Sequence, residues 1–134
     1  HVSKEELFST SDFISVHVVL SDRTRGLVGA ADFARMKPTA VLVNTSRGPV
    51  LDEAALLEAL AQRRFAHAAL DVYWREPLPA DHPFWTAEGI IVLPHIGGPH
   101  PQRDSFVARL FADNLGRFLD GKPLKEVVDR HAGY

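Results

Sequence analysis

The chain has 134 residues, with 15 Lys and Arg against 17 Asp and Glu, a formal net charge of −2 with His neutral. Apolar residues make up 46% and charged residues 24%, which excludes a disordered, collagen-like or coiled-coil chain and leaves enough apolar surface for one real core. The charge balance carries no footprint for nucleic acid or an anionic membrane. The lack of cysteine excludes disulfides and thiolate chemistry and fits a reducing cytoplasm.

The longest apolar run, residues 13–20, is too short to span a bilayer and contains Ser15 and His17. No charged-then-apolar leader is visible, so a cytoplasmic protein is expected. Along the chain, Ser3 and Glu6 form a capping-box pattern with Val2 and Leu7 at staple positions, predicting a short helix over residues 4–8. The apolar, β-branched run over 13–19 predicts a buried strand. Residues 30–36 have helical spacing, with Phe33 and Met36 on one side and Lys37-Pro38 as the stop. A second strand is expected over 40–43, followed by the polar turn Asn44-Thr45-Ser46-Arg47-Gly48-Pro49.

Asp52 is the expected cap of a helix over 53–62, with Leu51 and Leu56 as its staple and Leu56, Leu57 and Leu60 facing a core. A third strand is expected over 66–72, a Pro-rich loop over 76–83, and a short fourth strand over 90–93 that Pro94 stops. Pro101 is placed for the first turn of a long helix, with Phe106, Leu110, Phe111, Leu115 and Phe118 as its apolar stripe and Gly121 as its end. Short apolar strands alternating with amphipathic helices are the pattern of an α/β fold on a parallel sheet, its strands buried on both faces.

In such sheets the ligand crevice lies beyond the carboxyl ends of the strands. Three of those ends carry unusual polar residues: Asn44 to Arg47 after the second, Asp71 and then Glu76 after the third, and His95 with Gly97 and Gly98 after the fourth. Each has a bland reading: Arg47 as a solvated charge, Glu76 as ordinary loop chemistry, His95 as a satisfied turn residue, Asp71 as a turn cap. Their placement at successive strand ends, about 4.8 Å apart from strand to strand, instead brings a guanidinium, a carboxylate and an imidazole to one rim.

The strings Val43-Asn44-Thr45-Ser46-Arg47-Gly48-Pro49, Leu70-Asp71-Val72-Tyr73 through Glu76-Pro77-Leu78-Pro79, and Pro94-His95-Ile96-Gly97-Gly98 resemble the three signature blocks of the D-isomer-specific 2-hydroxyacid dehydrogenases. The lead Asp12-Phe13-Ile14-Ser15-Val16-His17 resembles that family as well, so the likeness runs over essentially the whole chain. It implies Arg47 as the clamp on a substrate carboxylate, a task that suits a planar guanidinium and not an ammonium. It implies His95 as the acid/base that protonates the carbonyl oxygen of a 2-oxo acid while NAD or NADP supplies hydride. Glu76 would pair with His95, favour the imidazolium and fix the ring. Asp71 would stand near the nicotinamide carboxamide, and His17, Thr45, Ser46, Arg47, His95 and Gly97 would line the cofactor. No metal is implied; a His95/His100 pair lacks a further ligand at suitable spacing. The chain departs from the family pattern at Val19, often Pro, and at Gly97-Gly98-Pro99-His100, where Ala and Thr are common.

No Gly-x-Gly-x-x-Gly is present, although the resembled family binds pyrophosphate with that turn. The resemblance therefore implies a Rossmann-like parallel sheet with flanking helices that lacks its N-terminal βαβ portion. Residues 1–134 would be a C-terminal segment of an NAD(P)-binding domain, with 101–134 a long helix and a tail returning toward an absent substrate domain. Such a segment would expose an apolar sheet edge, bind dinucleotide poorly and turn over nothing alone. The parent would be a homodimer acting on a small 2-oxo or 2-hydroxy acid, without nucleic-acid or membrane partners. Two alternatives stand beside the oxidoreductase segment: a dinucleotide-sensing module like the corepressors similar to this family, and a truncated, non-functional remnant.

Overall fold

The computed structural model describes residues 1–131, and the chain forms two compact units, residues 1–97 and residues 98 onward. In the first unit the elements run α1 (Lys4–Thr10), β1 (Phe13–Val16), α2 (Ala30–Phe33), β2 (Val41–Asn44), α3 (Glu53–Ala61), β3 (His67–Leu70) and β4 (Ile90–Val92). The four strands form one parallel sheet in the order β1-β2-β3-β4. This is the α/β parallel sheet expected from the alternation of strands and helices, in the Rossmann-like form that the resemblance implies.

Helix starts follow the predicted capping chemistry. Ser3 Oγ accepts from Glu6 N–H at 3.1 Å, and Asp52 Oδ1 accepts from Ala55 N–H at 3.0 Å, each cap being worth about 1 kcal/mol. Leu51 and Leu56 are both buried at the start of α3, as a staple requires, whereas Val2 and Leu7 at α1 are exposed. In α1 it is Phe8 that enters the core.

The register places Ile14, Leu42, Ala68 and Ile90 in one row and Val16, Asn44, Leu70 and Val92 in the next. Both rows lie on the same face, since side chains alternate along a strand. The first three members of each row are buried, and all but the polar Asn44 join Phe33, Met36, Val50, Leu56, Leu60 and Phe65 in a single core. Phe33 and Phe65 stack there with ring centroids 5.8 Å apart.

Several expectations are corrected. The strands are not buried on both faces: Phe13 is 76% exposed and Ile91 54% exposed, because the single core forms against one face only. β1 ends at Val16, since beyond it His17 bonds back to Ser15 Oγ through Nε2 at 2.7 Å and residues 17–20 leave the ladder. α2 stops at Phe33, although Met36 still reaches the core from the following turn. The expected strand ends at 40, 66, 71, 72 and 93 lie outside the strands, although Ala66, Asp71 and Leu93 still donate backbone hydrogen bonds to Ala40, Asn44 and Leu70.

The second unit holds α4 (Arg103–Leu119), which starts two residues after Pro101 and ends before Gly121 at φ +66°. Its predicted apolar stripe is exposed, and none of its residues is buried. The following segment folds back on it: Asn114 pairs with the backbone of Lys125 at 2.8 and 3.1 Å, and Lys125 Nζ meets Asp113 at 2.7 Å. The expected tail runs on into residues 132–134, which lie outside the described residues. Among the described residues no helix is long and apolar enough to cross a membrane.

Gly48 is the most closely packed glycine among the described residues. A Cβ there would stand 2.0 Å from the carbonyl carbon of Tyr73 and 2.5 Å from Trp74 N, both backbone atoms. Gly48→Ala is therefore expected to destabilise the chain by about 3 kcal/mol, the upper end of ordinary overpacking costs. Gly116→Ala, in open space on α4, is expected to raise helicity and to stabilise that helix by about 1 kcal/mol. Urea unfolding followed by circular dichroism reads both.

Candidate active site

Because the sheet is parallel and in register, the last residues of all four strands, Val16, Asn44, Leu70 and Val92, form one row. The segments leaving that row carry every residue singled out in the sequence: His17, then Thr45, Ser46 and Arg47, then Asp71 and Glu76, then His95 and Gly97. Their gathering at one edge of the sheet follows from strand direction alone.

The Asn44–Arg47 turn is held from within. Asn44, fully buried, donates from Nδ2 to Arg47 O at 3.1 Å and accepts from Ser46 N–H at 3.0 Å. Ser46 Oγ also donates to Val18 O, tying this turn to the segment after β1. Together His17, Val18, Val19, Leu20, Thr45, Ser46 and Arg47 line an open depression of about 530 Å³.

Asp71, only 2% exposed, accepts from Ile96 N–H at 2.8 Å on one oxygen and from Gly97 N–H at 2.7 Å on the other. Two successive N–H groups on one carboxylate form an anion-binding nest. The turn so held puts His95 at φ +57°, the left-handed region that non-glycine residues rarely adopt. A Cβ on Gly97 would come within 2.9 Å of Asp71 Oδ2 and 3.8 Å of Thr45 Cγ2, so Thr45, Asp71 and Gly97 are immediate neighbours.

Glu76 bridges two groups. Its Oε1 accepts from Tyr73 N–H at 2.9 Å and its Oε2 meets His95 Nδ1 at 2.6 Å. Burial alone would raise the Glu76 carboxyl, but the hydrogen bonds from His95 and Tyr73 and the charges of His95 and Arg47 together bring it below the ordinary glutamate value. Arg47, Glu76 and His95 thus lie within electrostatic reach of one another. With Nδ1 committed to Glu76, the other ring nitrogen of His95, Nε2, is the one left to meet a reactant. A cleft of about 440 Å³ opens beside the pair, walled by Pro77, Leu78, Trp85 and Leu93.

Two contributors were not singled out in the sequence as site residues. Asn44 was legible as an Asx-type turn former, since its side chain reaches two residues ahead. Tyr73 carried no such signal. Its hydroxyl lies 2.7 Å from Leu70 O and 2.8 Å from Leu93 O, and it also accepts from Leu93 N–H at 3.1 Å. Burial raises the Tyr73 phenol above its ordinary value; the Asp71 and Glu76 charges add to this and the bond with Leu93 partly opposes it. The phenol therefore stays protonated and joins the ends of β3 and β4.

The residues present fit a dinucleotide at this edge. The depression offers hydroxyls from Thr45 and Ser46, the His17 ring and a cationic Arg47, and it opens at the carboxyl ends of parallel strands.

The chain is similar to known proteins over nearly its full length. A glyoxylate reductase of Korarchaeum cryptofilum (strain OPF8) is 41% identical over 130 residues, 97% of this chain and 39% of the relative. Glyoxylate/hydroxypyruvate reductase B of Enterobacter sp. (strain 638) is 39% identical over 127 residues, 95% of this chain and again 39% of the relative. The chain thus spans about two-fifths of the length of these relatives. Among solved structures, a D-isomer specific 2-hydroxyacid dehydrogenase from Xanthobacter autotrophicus Py2, in complex with NADPH and MES, superposes with a TM-score of 0.88 at 35% identity, covering 97% of this chain and 53% of that one. Residues 1–97 match the D-isomer specific 2-hydroxyacid dehydrogenase, NAD binding domain, and the chain belongs to that family.

Proposed function

We propose that these residues form the catalytic side of an NAD(P)-dependent oxidoreductase that interconverts a small 2-oxo acid and its D-2-hydroxy acid, with glyoxylate and hydroxypyruvate as the first substrates to test. The observation that carries this reading is the Glu76–His95 contact of 2.6 Å with the Arg47 charge acting on the same carboxylate. A cofactor-sensing module has no need of that combination. The names of the relatives, glyoxylate and glyoxylate/hydroxypyruvate reductases, support the substrate class. The NADPH in the Xanthobacter structure supports the cofactor class.

In this reading Arg47 grips the substrate carboxylate through paired N–H groups. His95, its Nδ1 fixed by Glu76, presents Nε2 and donates a proton to the carbonyl oxygen during reduction, or accepts it during oxidation. A nicotinamide cofactor, when bound, would supply or take up the hydride. His17, Thr45, Ser46, Arg47, His95 and Gly97 would line the cofactor, and Asp71 would act on it through the turn it holds. The lack of cysteine supports a cytoplasmic setting, and the family resemblance supports a homodimeric parent.

The test is an assay of the polypeptide that contains these residues, at the length its source produces, against a panel of 2-oxo acids with NADH and NADPH. Arg47→Ala is expected to lower kcat/KM by roughly 10²- to 10³-fold, the loss of a charge-assisted pair of hydrogen bonds. His95→Ala is expected to lower kcat by about 10²- to 10⁴-fold, as removal of a general acid does. An Arg47→Ala protein with the parent's rate would overturn the clamp role of Arg47, and a parent that binds dinucleotide but reduces none of the 2-oxo acids would overturn the enzyme reading in favour of a binding module.

The 134-residue chain alone is expected to bind NADH only weakly and to reduce no 2-oxo acid. Isothermal titration and an absorbance assay check this, and micromolar affinity would contradict it.

The lowered Glu76 carboxyl also sets a pH dependence. A carboxyl depressed by folding contributes stability above its unfolded range, and that contribution is lost as pH falls through the lowered folded value. Glu76→Gln is therefore expected to destabilise the chain at neutral pH by up to about 1 kcal/mol, the pair being partly solvated. The difference between the two proteins should shrink as pH falls from the ordinary glutamate range, about 4.3, and vanish only below the lowered folded value. Urea midpoints measured between neutral and acid pH would show a constant difference if the pair contributed nothing.

A further inference from the structure

A second His–carboxylate pair stands behind the first. His82 Nε2 meets Glu53 Oε1 of α3 at 2.5 Å, with side chains only 19% and 23% exposed. The other ring nitrogen, Nδ1, accepts from Phe84 N–H at 3.2 Å, so the neutral ring donates from Nε2 to Glu53. Both nitrogens are committed within the protein.

The contacts lead on toward His95. The Phe84 ring packs edge-on against His82 with centroids 4.6 Å apart and lies 6.3 Å from the Tyr73 ring. Phe84 is buried, and together with Glu53 and Tyr73 it borders a void of only about 10 Å³, so these groups have little room to shift independently. Tyr73 in turn touches Glu76, one partner of the proposed acid/base pair, and the backbone that leads to the other. Its N–H holds Glu76, and its hydroxyl holds the Leu93 backbone two residues before His95.

We propose that His82, anchored on Glu53, is a positioning residue for the Glu76–His95 pair, acting through Phe84 and Tyr73. The inference rests on the reading of Glu76–His95 as the acid/base pair. It assigns to the segment between the third and fourth strands the task of holding that pair from behind. A role confined to capping the 3-10 turn Pro83–Trp85 would leave the state of His95 untouched.

The experiment is long-range ¹H–¹⁵N spectroscopy of the histidine rings in the 134-residue chain, with His95 assigned by its loss in His95→Gln. The readout is the exchange rate with water of the proton on His95 Nδ1 that Glu76 holds. His82→Phe keeps a ring against Phe84 and deletes both hydrogen bonds; Glu53→Ala deletes the anchor. Both are expected to accelerate exchange about fivefold to tenfold, the equivalent of one net hydrogen bond, with β1 and β2 amide signals unchanged. Glu53→Gln, which can still accept from Nε2, is expected to stay within about twofold of the parent. Parental exchange rates in both His82→Phe and Glu53→Ala, or acceleration only where the β1 and β2 signals are also lost, would overturn the proposal. Glu76→Gln separates the two layers: if the His95 signal survives it unchanged, the Glu76–His95 pairing itself fails, whatever His82 does.

Discussion

The grip of Asp71 on two successive backbone N–H groups is the constraint on which the site depends. It puts His95 in the left-handed region at φ +57°, a conformation that costs about 1–2 kcal/mol for a residue with a side chain. Two hydrogen bonds to a carboxylate, at 2.7 and 2.8 Å, are each worth about 1.5–3 kcal/mol. The bonds therefore outweigh the strain, and the imidazole is held where relaxed backbone would not put it. Glu76 then meets a ring whose origin is already set, so their 2.6 Å contact follows from the turn as well as from the attraction of the two groups.

The same edge of the sheet illustrates how parallel register concentrates chemistry. With zero offset between β1 and β2 and between β2 and β3, the chain leaves each strand at the same level. A hydroxyl-rich turn, a buried carboxylate and an imidazole are delivered side by side, although Thr45, Asp71 and His95 are separated by long stretches of chain. Asn44 shows the accompanying cost. A fully buried amide must find partners for both ends, and it does so inside its own turn, with Arg47 O and Ser46 N–H. The polar residue that ends β2 thereby also shapes the turn that presents Arg47.

Much of this was legible in the residues. Apolar runs such as Val41-Leu42-Val43 marked the strands, Ser3 and Asp52 marked helix starts by the chemistry of their side chains, and the polar strand ends marked the site. What escaped was whatever depends on partners distant in sequence. The length of β1 was overestimated because Val18 and Val19 have strand-like side chains, while the ladder stops where β2 turns away. Near-continuous apolar runs such as Val41-Leu42-Val43 point to burial of the sheet on both faces, yet the core forms on one. The hydroxyl of Tyr73 and the His82–Glu53 contact left no local trace, because each joins segments that only the folded chain brings together.

The two His–Glu pairs share one chemistry and differ in their wiring, which is what separates the two roles proposed for them. In the first pair Glu76 engages Nδ1, and Nε2 remains for an incoming group; the His95 side chain is 44% exposed. In the second, Glu53 takes Nε2 and a backbone N–H takes Nδ1, so no ring nitrogen is left for a reactant, and the His82 side chain is 19% exposed. A proton-transfer role needs one free nitrogen with a path to the reactant. His95 meets that condition and His82 does not, although both rings sit within 2.6 Å of a carboxylate oxygen. Proximity to a carboxylate therefore does not by itself qualify a histidine for proton transfer; a nitrogen left over after the protein's own bonds are made is required as well.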